Sequence, residues 1–157
     1  AWLPGDRNWL AAITQFPGTI FFNISTFAAL LHNVTVQQQD RRVWRPDFYG
    51  STLFLVASLF AILALGRLLS FRPRSFPWWI AWLNMIGSIL FMASALASYV
   101  LPATGEYINS QISIAGTLFG ALGFLLGAIL MFPAWRHAVR DAKPVQPEDP
   151  QHQRSSQ

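Results

Sequence analysis

The sequence predicts an all-α membrane protein, a polytopic bundle of transmembrane helices. Of its 157 residues, 53% are hydrophobic and only 11% are charged, whereas a typical soluble domain has about 25% charged residues. The charges also gather in short clusters and leave long blocks without any. A helix of about 20 apolar residues is long enough to cross the hydrocarbon core of a bilayer. We therefore expect the lipid bilayer to be the principal partner of this chain.

Four uncharged blocks are predicted to span the membrane. They are continuous, unlike the strands of a barrel, which need only about 9 to 11 residues of alternating polarity. The predicted spans are residues 13–31, 48–66, 77–101 and 112–133. Pro133, followed by basic residues, is expected to end the fourth helix. The transmembrane domain is thus predicted at 1–133, and 134–157 is predicted to be a basic juxtamembrane segment with a disordered polar tail.

The basic residues of the connections predict the orientation of the chain. With four spans, one side of the membrane receives eight of them: Arg7, Arg67, Arg72, Arg74, Arg136, Arg140, Lys143 and Arg154. The other side receives three, namely Arg41, Arg42 and Arg45. Because lysine and arginine are enriched in cytoplasmic loops, both termini of this chain are expected in the cytoplasm.

A small-residue pattern recurs near the start of every span. A glycine is followed at once by serine or threonine in "GT", "GS", "GS" and "GT", at Gly18, Gly50, Gly87 and Gly116. Seven residues after each glycine comes another small residue, and seven steps of about 100° return to nearly the same face. Apolar side chains gain nothing by leaving lipid for another apolar surface, so membrane helices associate through such close contacts. These glycines are predicted helix-packing positions.

The fourth span has the most extensive stripe of this kind. Gly116, Gly120, Gly123 and Gly127 fall within an arc of about 60° on a helix. The stripe predicts either a central packing helix or a seam for a homo-oligomer through the 112–133 helix. A pore lining is the alternative, and helix packing is the preferred interpretation.

Two asparagines are the strongest polar features inside the spans. Asn23 and Asn84 are interpreted as interhelical hydrogen-bonding residues, with substrate binding as the alternative. In the first loop, Trp44 lies among arginines and aspartates. This loop either binds anionic headgroups or a partner, or simply anchors Trp44 at the membrane interface, which is the preferred interpretation.

No catalytic residues, metal ligands or cofactor site are predicted. The chain has no cysteine, and its three histidines lie at or beyond the predicted membrane edges without a carboxylate at ligand spacing. The excess of basic residues sits beside the apolar blocks, which fits membrane orientation rather than nucleic-acid binding.

Three stretches resemble the YrhK-like family of bacterial integral membrane proteins. They are "VWRPDFYGSTLFLVASLFAI" at 43–62, "WLNMIGSILFMASALASYV" at 82–100 and "GTLFGALGFLLGAILMFP" at 116–133. The resemblance implies a protein of the bacterial cytoplasmic membrane without assigned function, whose relatives often have further spans upstream. That implication agrees with a chain that begins at Ala1.

The expected function is that of a structural or accessory membrane protein without catalytic activity. The alternative is a small transporter or channel, which needs a polar path through the bundle past Asn23, Asn84 and the serines. No substrate follows from the sequence.

Overall fold

The protein is a helical bundle in all the residues that its computed structural model describes, namely 2–31, 35–66 and 74–141. Its four helices are α1 (Arg7–Ala29), α2 (Val36–Ala64), α3 (Phe76–Ala97) and α4 (Ser110–Asp141). These ranges contain no strand, and the pairing of Val100 with Tyr107 is an isolated bridge. The predicted all-α class is confirmed for this part of the chain. The predicted disordered tail from 142 onward lies outside it.

Three of the helices, α2, α3 and α4, are long and apolar enough to cross a membrane. They indicate a membrane-embedded protein and correspond to the second, third and fourth predicted spans. The first predicted span, 13–31, falls on α1, which has 23 residues but is not among the helices that meet both conditions. Polar residues such as Gln15, Thr19 and Asn23 lower the mean hydropathy of α1, so this helix is long enough to cross a membrane but not apolar enough to meet the second condition.

Helix α2 begins earlier than predicted, at Val36 rather than at residue 48. Thr35 caps it, because its hydroxyl accepts from the Gln38 backbone N–H at 3.3 Å while the Gln38 side chain accepts from the Thr35 N–H at 3.1 Å. Most of the predicted first loop is therefore helical. A π-helical turn at Asp40–Trp44 precedes Pro46, which has no N–H to donate to the helix.

The π-helical turn is held by one pair of residues. The backbone N–H of Arg45 bonds to the carbonyl of Asp40, five residues back, and the Arg45 Nε donates to the Asp40 carboxylate at 2.9 Å. The ion pair is largely exposed to solvent, and exposed pairs of this kind contribute less than about 1 kcal/mol. The pair joins two residues of α2 across the π-helical turn.

The ends of the last two helices also differ from the prediction. Helix α4 continues through Pro133 to Asp141, because proline removes only one backbone bond and membrane helices tolerate that loss. Helix α3 ends at Ala97 rather than near residue 101. The connection to α4, residues 98–109, contains a turn in which the Leu101 N–H bonds to the Glu106 carbonyl at 2.8 Å and Gly105 has a φ of 71°.

Successive helices pack side by side, so that α1 lies on α2, α2 on α3 and α3 on α4. Each pair is antiparallel. The start of α1 meets the end of α2, where an Arg7 Nη1 donates to the Leu63 carbonyl at 2.6 Å. The end of α1 meets the start of α2, where the Ser25 hydroxyl donates to the Val43 carbonyl at 2.8 Å.

One phenylalanine from each helix meets in the middle of the bundle. Phe22, Phe54, Phe91 and Phe124 form a cluster whose contacting ring centroids are 4.7 to 6.0 Å apart. Phe54 and Phe91 are almost fully buried. Ring pairs at such distances contribute about 0.5 to 1.5 kcal/mol beyond the area that they bury. The cluster joins all four helices at one level.

Candidate functional site: the helix seams and their cavities

Helices α1 and α2 approach each other most closely at two glycines. A Cβ placed on Gly18 would lie 3.3 Å from the Gly50 carbonyl oxygen and 3.1 Å from the Leu53 Cβ. A Cβ placed on Gly50 would lie 3.1 Å from both the Gly18 oxygen and the Phe22 nitrogen. The two backbones are therefore in direct contact, and we call this contact the α1–α2 seam.

Helices α3 and α4 form a second and tighter seam. A Cβ on Gly116 would lie 2.7 Å from the Leu90 carbonyl oxygen, and one on Gly120 would lie 2.7 Å from the Phe91 ring. Gly87 and Gly120 face each other, since a Cβ on either would lie 3.0 Å from the carbonyl oxygen of the other. We call this contact the α3–α4 seam. Glycine allows this close approach because it has no side chain to separate the two backbones.

The remaining predicted packing residues of α4 lie on the same seam. A Cβ on Gly123 would lie 3.1 Å from the Leu83 carbonyl oxygen, and one on Gly127 would lie 2.9 Å from the Asn84 Oδ1. The whole glycine stripe of α4 thus faces α3 of the same chain. A homo-oligomer through the 112–133 helix would have to use another face of that helix.

Small hydroxyl groups supply hydrogen bonds between the helices. Ser58 of α2 and Ser88 of α3 are both buried, with their hydroxyl oxygens 2.8 Å apart. On the α3–α4 seam, the Ser94 hydroxyl donates to the Ser113 carbonyl at 2.6 Å and lies 2.7 Å from the Thr117 hydroxyl oxygen. Interhelical bonds of this kind contribute about 0.6 to 2 kcal/mol each in membrane proteins.

Trp44, which is predicted to anchor at the membrane interface, also joins α2 to α3. Its indole N–H donates to the Ala95 carbonyl at 2.8 Å. Its ring stacks on Phe48 and meets the edge of Tyr99, with centroids 5.4 and 5.0 Å away. No sequence signal identifies this contact, because it depends on which residue of α3 lies opposite.

Asn23 does not contribute a hydrogen bond to either seam. It is exposed, and its amide donates to the Thr19 carbonyl of its own helix at 2.8 Å. Thr19 and Thr26 likewise donate to carbonyls four residues back, at 3.1 and 2.9 Å. The polar groups of α1 are thus partly satisfied within that helix. Asn84, by contrast, lies on the α3–α4 seam.

Two cavities lie at opposite ends of the bundle. The first, which we call the Gln39 cleft, has a volume of about 640 Å³ and is lined by Val36, Gln39, Val100, Gly105, Glu106, Tyr107 and Ser110. Inside it, the Gln39 amide donates to the Tyr107 hydroxyl at 3.0 Å. Its wall is mainly polar, and Glu106 is the charged residue in it.

The second cavity, which we call the Asn84 cavity, has a volume of about 420 Å³ and a mostly apolar wall. Asn8 and Asn84 supply its polar groups, and the rest of its wall comes from the end of α2, the start of α3 and the last turns of α4. The phenylalanine cluster lies between the two cavities. Within the described ranges, no group of three or more histidine, aspartate or glutamate side chains is placed to hold a metal ion.

Comparison of the chain with protein-family models, with curated proteins and with solved structures finds no match.

Proposed function

We propose that this protein is a four-span membrane protein with a structural or accessory role and without catalytic activity. The observation that carries the proposal is the phenylalanine cluster, to which every helix contributes one ring. The four rings fill the centre of the bundle, between the α1–α2 seam and the α3–α4 seam. A filled centre suits a protein that packs against lipid or other proteins better than one that conducts a solute.

The surface of α1 supports the assignment of a fourth span to this helix. Its outward residues are large and apolar, with Phe16 and Phe27 exposed by 66% and 70%. In water such a face would be costly, at about 25 cal/mol for each Å² of apolar surface. In lipid it costs nothing, and the intrahelical bonds of Thr19, Asn23 and Thr26 lower the cost of their polar groups.

Four spans place both ends of the described chain on the same side of the membrane. The eight basic residues of that side, against three on the other, support a cytoplasmic location for both termini. A bacterial cytoplasmic membrane is proposed from the resemblance to the YrhK-like family.

A small transporter or channel is the second candidate, because cavities lie at both ends of the bundle. This function requires water to reach the interior at least transiently. Ser88 separates the two candidates well, since it lies on α3 with a relative exposure of 0%. A closed structural bundle keeps this position dry, and a solute path wets it.

Labelling of single cysteines in intact cells and inverted vesicles tests the proposal. The native chain has no cysteine, so every signal comes from the introduced residue. We expect a membrane-impermeant maleimide to label Gln38→Cys and Ser110→Cys from outside, and Gly5→Cys, Arg74→Cys and Arg140→Cys from the cytoplasm. Ser88→Cys is expected to remain unlabelled until the protein is denatured.

Three results of this experiment would reject parts of the proposal. Labelling of Gly5→Cys from the same side as Gln38→Cys would show that α1 does not cross the membrane, and labelling of Arg140→Cys from outside would contradict the topology of α4. Rapid labelling of Ser88→Cys in the folded protein would favour the transporter or channel over the structural role.

A further inference from the structure

A row of polar side chains runs along one flank of α1. At about 100° per residue the row occupies an arc of about 80°, and it consists of Asn8, Gln15, Thr19, Asn23 and Thr26. We call it the α1 polar row. The buried face of the same helix is a separate arc, centred on Gly18, which lies against α2. Four of the five polar residues are exposed, and Gln15 is half-buried.

The α1 polar row borders the open side of the bundle. Phe22 lies between the row and the buried face of α1, and its ring contacts Phe91 of α3 at 4.7 Å. Asn8, at one end of the row, lines the Asn84 cavity together with residues of α3 and α4. The row therefore begins at the Asn84 cavity and continues along the flank of α1 that is not packed against α2.

A polar row of this length is unfavourable against lipid. Asn23 uses one amide N–H for the Thr19 carbonyl, which leaves its second N–H and its side-chain oxygen without a partner among the described residues. Gln15 has no side-chain hydrogen bond there either. Polar side chains exposed to hydrocarbon favour association with another helix that supplies donors and acceptors. This step rests on the proposed function, because it requires α1 to lie in the bilayer.

We propose that the α1 polar row beyond Asn8, from Gln15 to Thr26, binds the same residues of a second copy of this chain, so that the protein is a parallel two-fold dimer. Two copies in one membrane have the same orientation, and a two-fold axis along the membrane normal sets each residue opposite itself. Asparagine, glutamine and threonine each carry a donor and an acceptor, so each pairs with its own copy.

The charge distribution of α1 is also compatible with this pairing. No charged residue occurs between Arg7 and Asp40, so that no like charges meet along the row. Arg7 itself is directed at the Leu63 carbonyl of α2, away from the row. A second copy supplies a donor and an acceptor at the depth of every row residue, which a lipid or an unrelated membrane protein does not have to do.

Disulfide formation in native membranes tests the dimer. Thr19→Cys and Asn23→Cys place a thiol in the row, whereas Ile20→Cys and Ile24→Cys place one at the same depths on the exposed apolar face. With a mild oxidant we expect the two row variants to form cross-linked dimers at least about fivefold faster than their neighbours. The difference is expected because a disulfide forms only between thiols that come close together, and only the row positions face their own copies across the two-fold axis.

A second measurement removes the row without introducing a thiol. We expect the double variant Gln15→Leu, Asn23→Leu to shift from dimer to monomer in single-molecule photobleaching of dilute liposomes. The matched control, Ile20→Leu and Ile24→Leu, is expected to remain dimeric. Equal cross-linking of all four cysteine positions, or a wild-type monomer in the same liposomes, would overturn the dimer.

The accessibility of Asn23→Cys separates failure of the dimer from failure of the proposed topology. If a membrane-impermeant maleimide rapidly labels both Asn23→Cys and Ile24→Cys on the exposed apolar face, α1 is not in the bilayer and the four-span proposal fails with the dimer. If Asn23→Cys is protected but forms no disulfide, only the dimer is wrong.

Discussion

Replacement of Gly116 by alanine is expected to destabilise the bundle by about 3 kcal/mol, the upper part of the range for an overpacked core. The added Cβ would lie 2.7 Å from the Leu90 carbonyl oxygen and 2.9 Å from the Ser94 Cβ. A backbone oxygen cannot rotate away as a side chain can, so α3 and α4 have to separate. The separation also lengthens the hydrogen bonds from Ser94 to Ser113 and Thr117.

Unfolding in mixed detergent micelles measures this effect, and two other glycines provide its controls. Gly123→Ala is expected to cost about 1 kcal/mol, because the nearest atom would be 3.1 Å away. Gly5→Ala is expected to be neutral, since nothing lies within 4 Å of its Cβ position. Equal stability of the Gly116 and Gly5 variants would show that α3 and α4 do not meet at this seam.

Replacement of Trp44 by alanine is expected to cost about 3 kcal/mol, as for the loss of a well-packed indole. The change removes the hydrogen bond to the Ala95 carbonyl together with the ring contacts to Phe48 and Tyr99. These contacts tie the start of α2 to the end of α3. The α2–α3 pair has no glycine seam of the kind seen in the other two pairs, so we expect it to depend strongly on this residue.

Trp44→Phe separates the hydrogen bond from the ring contacts. It preserves an aromatic ring and removes the donor, so we expect a cost of about 1 kcal/mol in the same unfolding measurement. Trp2, which is 77% exposed, is the control, and Trp2→Ala is expected to change stability by less than about 0.5 kcal/mol. If Trp44→Ala were as mild as Trp2→Ala, the indole would not be an interhelical contact.

The repeated glycine pattern predicted which face of each helix packs, because that face depends only on the spacing of small residues within one helix. A glycine can be read from the chain, and the helical period indicates which residues share its face. Gly18 and Gly50 meet each other, as do Gly87 and Gly120. The pattern did not say which helices pair, so the stripe of α4 could not be assigned to α3 rather than to a second copy.

Helix boundaries were harder to predict, for two physical reasons. The charges around Arg41 and Arg45 suggested a loop, although Thr35 and Gln38 have the spacing of a capping box that starts a helix before them. Pro133 suggested an end, although a helix can lose one hydrogen bond and continue. In both cases the backbone continues its helical hydrogen bonding through a residue type that often marks a helix end.

The roles of Trp44 and of the phenylalanine cluster could not be predicted. Each depends on residues far apart in the chain, such as Trp44 and Ala95 or Phe22 and Phe91. A single sequence gives the helices but not their rotation about their own axes. A rotation of one helix by 100° would place a different residue at every one of these contacts.

The behaviour of the purified protein on removal of detergent tests most directly whether these apolar helices are bilayer-crossing segments. The outward faces of α1 and α4 carry large exposed apolar residues such as Phe27 and Phe132, which lipid must cover. We predict that the chain is recovered in the liposome fraction after alkaline washing, and that it aggregates when detergent is diluted away without lipid. A chain that stayed soluble and monodisperse in plain buffer would contradict this account.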